Sequence, residues 1–347
     1  MGGLQSYSGL TTKIREMQEQ LLKKSDYAAL RAQPTVRAAV NYLMKWKCYQ
    51  AVLRDIPEEK LHRGVIEEHL IRSGYEDFTR VYLFASQEQR KYLHLYFTKF
   101  EAEYLRKCLR RSVAVHPEHF VLDEANISFF RKYSHLKLDD LMEARGLQEF
   151  TEATRGSRYY SVLHMLQNKN DENPAEYEAA IDMRHYRMIW ESGTQLFSGR
   201  DLAVFRETEG TRIDFLNFEL IYRAKRFYGM TPEEIYALII PVRYKFRKND
   251  IVRFVTAQDP EMMFGYLKRS EYGPKFHFLN DTNFKNSVQE ANDHLYHEAF
   301  KHNPYTIACM VTYFYEKERE LERIIHALEV IRYTEKRTPE QKGGSSE

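Results

Sequence analysis

The chain has 347 residues, with 52 Lys+Arg against 50 Asp+Glu, and this near-balance excludes the basic excess of a dedicated nucleic-acid binder. Its 15 glycines and 10 prolines amount to about 7% of the residues, where average usage gives roughly 12%, so a many-stranded β protein is excluded too. With 14% aromatic and 29% charged residues, a large aromatic core inside a solvated surface is expected, and disorder is not. A prior of roughly 150 residues per domain allows about two domains or one large repetitive body.

Helical signals dominate along the chain. Near the N-terminus Lys13, Arg15 and Glu16 interrupt any apolar stretch before it reaches useful length, so no signal peptide is expected. Asn and Asp cluster without apolar periodicity at Asn168 to Pro174 and at Asn280 to Asn286, which predicts polar loops. Thr231-Pro232-Glu233-Glu234 places a capping hydroxyl, a first-turn proline and two acids at the positive end of a helix dipole, so a helix starts there. Asn303-Pro304 repeats the device, and Ile307, Val311, Phe314, Leu321, Ile325 and Leu328 then mark an amphipathic helix to about Tyr333. The longest uncharged, mostly apolar run, Thr306 to Tyr315, is about half the ~20 residues that span a bilayer. Cys48, Cys108 and Cys309 are odd in number and in no CxxC spacing, which fits a reducing compartment and small apolar core positions.

Internal repetition is the most informative feature. A tyrosine followed by a short apolar step recurs as Tyr49-Gln50-Ala51-Val52-Leu53, Tyr159-Tyr160-Ser161-Val162-Leu163 and, more loosely, Tyr272-Gly273-Pro274-Lys275-Phe276. Between these copies runs an aromatic, a glutamate four positions on, then Tyr or Leu three further: Phe97/Glu101/Tyr104, Phe215/Glu219/Tyr222 and Phe314/Glu318/Leu321. Phe100 matches Phe218, and Lys107 matches Lys225, but the third copy carries Lys317 where the others have phenylalanine. Two motifs in the same order three times predict an all-α body, 4–336, of three repeats at approximately 4–115, 116–230 and 231–336. Arranged around a common axis, such helical bundles would form one compact body with a central depression, with a disordered tail at 337–347. Amphipathic periodicity alone is the competing explanation.

The stretch Tyr7 to Trp46, with Lys13, Ile14, Arg15, Leu21 and Leu22 followed by Ser25-Asp26-Tyr27, resembles the opening of the C-type subunit of V-type ATPases, the bacterial and archaeal counterpart of the eukaryotic d subunit. Ile213 to Asn217, then Arg223 to Arg226 and Thr231 to Ile235, are similar to a recurring stretch of that family, as is Asn303-Pro304-Tyr305 through Lys317 to Ile324. The resemblance implies an all-α fold of three pseudo-symmetric helical bundles around a central funnel, and a non-catalytic subunit on the cytoplasmic face of the membrane. It would bind the ion-carrying rotor ring and the central-stalk subunits D and F, linking ATP hydrolysis or synthesis to proton or sodium transport. Membrane association would come through those partners, and no cofactor or nucleic acid is implied.

The chemistry-bearing residues are read alongside. No glycine is followed by lysine and no GxGxxG occurs, so neither a P-loop nor a dinucleotide-binding turn of the usual form is present. His294, His297 and Glu298, with His302 nearby, fall at helical spacing and form a metal candidate, but in no HExxH pattern, and a solvated face is the better reading. His116-Pro117-Glu118-His119 is a weaker one. Glu101, Glu219 and Glu318 sit in apolar stripes, which predicts carboxylates paired with basic or tyrosine side chains rather than a catalytic trio. Two basic clusters, Arg106/Lys107/Arg110/Arg111 and Arg243/Lys245/Arg247/Lys248, read either as solvated faces or as surfaces for stalk helices, lipid or RNA. No catalytic, cofactor or metal residue is therefore assigned. A helical scaffold binding RNA or other proteins, and a metal-dependent enzyme built on the His294 group, are the alternatives to the rotary socket.

Overall fold

A computed structural model describes residues 2–57, 59, 61, 63–116, 124–169, 172–274 and 284–342. It is 79% helical, and among the described residues there is no strand. The helices in chain order are α1 (Gly2–Glu19), α2 (Lys24–Arg31), α3 (Val36–Leu43), α4 (Lys47–Leu53), α5 (Arg63–Phe84), α6 (Gln87–Ser112), α7 (Glu124–Tyr133), α8 (Leu138–Glu143) and α9 (Gly146–Ala153). They continue with α10 (Tyr160–Asn168), α11 (Pro174–Leu196), α12 (Gly199–Phe205), a π-turn at Arg206–Gly210, α13 (Thr211–Tyr228), α14 (Pro232–Leu238), α15 (Lys248–Thr256), α16 (Pro260–Arg269), α17 (Phe284–His302) and α18 (Ala308–Lys342).

The chain divides into two compact units. The first combines Met1–Ser86, His116–Ser134 and Met310–Glu347, so its N-terminal helices are completed by α18 from the far end of the chain. Short helices α2 to α4 cannot bury an apolar stripe alone, and Leu30, Leu43, Tyr49 and Val52 close instead on Leu70 of α5 and on Ile324, Ala327 and Ile331 of α18. Each such fully buried aliphatic side chain stabilises by roughly 1.5–3 kcal/mol. Thr35 caps α3 by accepting from the Ala38 amide at 3.1 Å. At the other end of α5, Tyr75 stacks on Phe129 of α7 with centroids 4.5 Å apart, and Phe78 packs against Phe314 of α18.

The second unit, Gln87–Val115 and His135–Cys309, centres on α13. Phe218 meets Phe246, Phe254, Phe264 and Phe284 with ring centroids 5.0 to 6.3 Å apart, and its pairs with Phe254 and Phe264 are edge to face, an arrangement favoured by the ring quadrupoles. Phe284 explains why α17 begins inside the segment whose polarity predicts a loop: its ring is buried against Phe218, Tyr222 and Phe264 and anchors the first turn. Helix α14 starts as the sequence predicts, with Thr231 Oγ1 accepting from the Glu234 amide at 3.3 Å and Glu234 accepting from the Thr231 amide at 2.7 Å. Helix α13 ends at Gly229, whose φ of 59° is the left-handed closure that glycine adopts without strain.

Helix α18 differs at both ends from its expected course. It starts at Ala308 rather than directly after Pro304, because the Ile307 amide is taken by the Asp201 carboxylate at 2.9 Å and Thr306 Oγ1 caps Ala308. It continues to Lys342, past the polar boundary at Thr338, since extending a nucleated helix adds a hydrogen bond for each residue fixed. Residues 343–347 of the expected tail lie outside the described residues.

Candidate functional site

Two buried polar networks stand out, one in each unit. In the first, Lys317 projects from α18 into the interior with only 3% of its surface exposed. Its Nζ lies 3.5 Å from Asp77 of α5, 3.3 Å from Glu320 one turn on, and 3.1 Å from the hydroxyl of Tyr49 on α4. Asp77 also accepts from Tyr313 at 2.7 Å and from Arg80 at 3.1 Å. Glu320 accepts from the Tyr49 hydroxyl and from the Leu22 amide at 2.7 Å. Two cations therefore face two carboxylates, and each carboxylate has further donors, the condition under which buried charge is tolerated. Burial pulls the Lys317 ammonium toward neutrality, but Asp77 and Glu320 outweigh it and hold the group above its ordinary range. Burial, then Glu320, raises Tyr49, and burial, then Asp77, raises Tyr313, so both phenols remain protonated donors.

In the second unit Asp214, on the first turn of α13, is 1% exposed and holds an irregular segment in place. Its carboxylate accepts from the amides of Tyr244, Lys245 and Phe246 at 3.4, 2.8 and 3.0 Å and from the Tyr272 hydroxyl at 2.7 Å. One turn along, Asn217 replaces a strand partner for Ile240, donating to its carbonyl at 3.0 Å and accepting from its amide at 2.8 Å. The segment between α14 and α15 thus has its backbone groups satisfied by α13 side chains, as burial demands. Burial holds the Asp214 carboxyl above its usual range, with the Tyr272 and amide hydrogen bonds pulling the other way. Gly210, at the end of the π-turn, leaves room for the Tyr244 ring: a Cβ there would sit 2.5 Å from Tyr244 Cγ.

The three motif tyrosines are all fully buried, each with its hydroxyl on a long helix. Tyr49 reaches Glu320 of α18, Tyr159 the Thr98 carbonyl of α6 at 3.4 Å, and Tyr272 Asp214 of α13. Glu101, Glu219 and Glu318 are only half-buried. The most deeply buried acids are Asp214 and Glu320 on the same helices and Asp77 on α5, with Glu209 of the π-turn next. Much of the charge in the basic clusters is engaged: Arg106 with Asp182, Arg110 with Glu178 at 2.8 Å, Lys245 with Glu207 at 2.9 Å, and Arg247 with Glu271 at 3.4 Å. His294 and His297 point to solvent, while Glu298 is bonded to His302 at 3.0 Å and Lys301 at 3.3 Å. Among the described residues no three His, Cys, Asp or Glu side chains converge as metal ligands. Of the His116 group, residues 117–119 lie outside the described residues. Burial pushes the Cys108 thiol up to about 12, leaving it no nucleophile at neutral pH.

What this arrangement does chemically is lock helices together. The stretches that do so, Ile213 to Asn217 and Lys317 to Ile324, are among those that carry the family resemblance of the sequence. A family model described as ATP synthase (C/AC39) subunit matches residues 10–341. The chain belongs to the ATP synthase (C/AC39) subunit family. A search of curated proteins returns no significant match. As a C/AC39 protein the chain is a subunit of a V-type ATP synthase, and no described helix is long and apolar enough to cross a membrane. In this C/AC39 protein Lys317 was legible only as a departure from the repeat. The signal that marks its role is a lysine on the buried stripe Phe314, Lys317, Leu321, Ile324, where the equivalent positions carry Phe100 and Phe218.

Proposed function

We propose that this chain is the non-catalytic socket of a V-type rotary ATPase, carrying torque between the ion-carrying rotor ring of the membrane sector and the central-stalk subunits D and F. It works at the cytoplasmic face as a peripheral subunit, and its body is three helical bundles related by the repeats at approximately 4–115, 116–230 and 231–336. The observation that carries this reading is the family match over 10–341, nearly the whole chain. The physical chemistry supports it: a torque-bearing spacer must be stiff, and both units are pinned by buried hydroxyl, amide and charge networks as well as aromatic packing. The chemistry such a part needs is recognition at its surface, with ATP turnover and ion movement located in its partners.

The test is reconstitution. Membrane sector and soluble head assembled without this subunit should hydrolyse ATP without moving ions, and adding the purified chain should restore ATP-driven transport. It should also co-purify with ring and stalk subunits. Full ion pumping by an assembly that lacks the chain would overturn the reading.

A further inference from the structure

In the first unit a cavity of about 410 Å³ opens between α2 and α18. That volume lies within the roughly 300–1,000 Å³ of small-molecule sites. Lys24, Tyr27 and Arg31 reach it from one face of α2, and Arg323 and His326 from one face of α18, at the three- and four-residue spacings that align helical side chains. Leu22 and Ala327 supply apolar lining, and the Arg323 guanidinium lies over the Tyr27 ring, 5.7 Å from its centroid. Among the described residues no acid lines this cavity.

The neighbouring carboxylates lie outside its walls and have other hydrogen-bond partners, though the Glu320 charge reaches Tyr27 from the interior. Asp26 accepts from the Lys23 amide at 2.8 Å, Glu320 is buried with Tyr49 and Lys317, and Glu322 is paired with Arg319. Glu329 pairs with Arg63 at 2.6 Å and approaches His326 only to 4.0 Å. A chain with a net charge of +2 thus gathers four basic side chains around one concavity that no carboxylate lines among the described residues.

We propose that this cavity binds a phosphate-bearing anion. Two guanidinium groups present planar forks that match phosphate oxygens, Lys24 adds a compact point charge, and a His326 ring nitrogen adds a further donor. The Tyr27 contact holds one of the guanidinium groups in place before a ligand arrives, which lowers the ordering cost of binding. The phosphate can belong to a soluble compound or to a phosphorylated lipid headgroup.

Calorimetry of the full chain with pyrophosphate, together with flotation on phosphatidylcholine vesicles containing phosphatidylinositol phosphate, tests this. Phosphatidylserine vesicles of matched charge are the comparison. We expect saturable pyrophosphate binding that weakens roughly tenfold or more in Lys24→Gln/Arg31→Gln, since both substitutions remove a charged donor to the anion. Both residues are exposed on α2, so the fold should persist, and circular dichroism checks that. Arg332→Gln, an exposed cation of α18 outside the cavity, should bind like the wild type. Vesicle binding that is selective for the phosphorylated lipid and displaced by pyrophosphate assigns the site to a headgroup; pyrophosphate binding without flotation assigns it to a soluble phosphate. Absence of both, or equal losses in the α2 and Arg332 variants, overturns the proposal.

Discussion

Lys317 of α18 and Asp77 of α5 lie 3.5 Å apart with each side chain only 4% exposed. The pair sits at the position where the repeat pattern places Phe100 and Phe218, so one long helix is locked by charge where another is locked by rings. Lys317→Met removes the ammonium and leaves Asp77 and Glu320 facing each other in the interior. Breaking a buried pair in this way costs about 3–5 kcal/mol, and urea unfolding should show a loss of that size. The triple variant with Asp77→Asn and Glu320→Gln should recover much of it. Because Lys317 is held above its ordinary range, its contribution is complete below the unfolded lysine value of about 10.4 and is lost as pH rises through the folded value. The wild type should therefore lose stability in alkali more steeply than Lys317→Met; equal alkaline profiles would show that the pair contributes nothing.

Asp214 makes a different demand. Asp214→Ala deprives the amides of 244–246 and the Tyr272 hydroxyl of one shared acceptor. Each orphaned buried donor costs about 1–3 kcal/mol, less wherever water enters. Hydrogen exchange at Lys245 and Phe246 should accelerate strongly in Asp214→Ala and less in Asp214→Asn, which keeps one acceptor oxygen. Unchanged protection of these two amides in Asp214→Ala would mean that other elements hold the segment.

What the sequence reveals and what it hides differ by range. The helix start at Thr231, the aromatic core and the helical class are local, compositional or periodic properties, and they were legible. The Lys317 network was not, because its partners come from sequence separations of 236 and 271 residues for Tyr313–Asp77 and Tyr49–Glu320. At such distances a lysine on an apolar stripe looks like an eroded motif. Glu101, Glu219 and Glu318 are half-buried, and the Glu101 charge acts on the motif tyrosine Tyr159, while the more deeply buried Asp77, Asp214 and Glu320, which the motif does not mark, accept from Tyr313, Tyr272 and Tyr49. At the onset of α18 another group remote in sequence acts, Asp201, whose carboxylate takes the Ile307 amide across 106 residues.

His185 on α11 gives the second unit an acid sensitivity. It is 3% exposed, and burial, reinforced by Arg212, Lys99 and Arg106, holds its imidazole well below the ordinary value of 6.5. A depressed folded value means that stability is complete above the unfolded value and falls as pH drops below it, by up to about 1.4 kcal/mol per pH unit for one group. Thermal unfolding between pH 7 and pH 5 should show this slope, and His185→Gln, which cannot take up a proton, should flatten it. A slope identical in both proteins would place the acid sensitivity elsewhere.

Gly193 of α11 tests how tightly the second unit is packed. Its bare backbone lies under the ring of Phe205, which is fully buried at the end of α12, and an added Cβ would sit 2.1 Å from the ring's Cζ. A helical glycine replaced by alanine normally gains up to about 1 kcal/mol, so propensity alone predicts a more stable protein. The contact predicts the reverse, because a ring with no free space must move off its rotamer, at about 1–3 kcal/mol. Gly193→Ala should therefore lower the melting temperature. In Phe205→Leu, which vacates the space, the same substitution should turn neutral or stabilising. The double-mutant cycle should then show a coupling above about 0.5 kcal/mol, the range found for side chains in contact. Additive effects would mean that α11 and α12 can part to admit a methyl group, and would count against the rigid spacer that torque transmission requires.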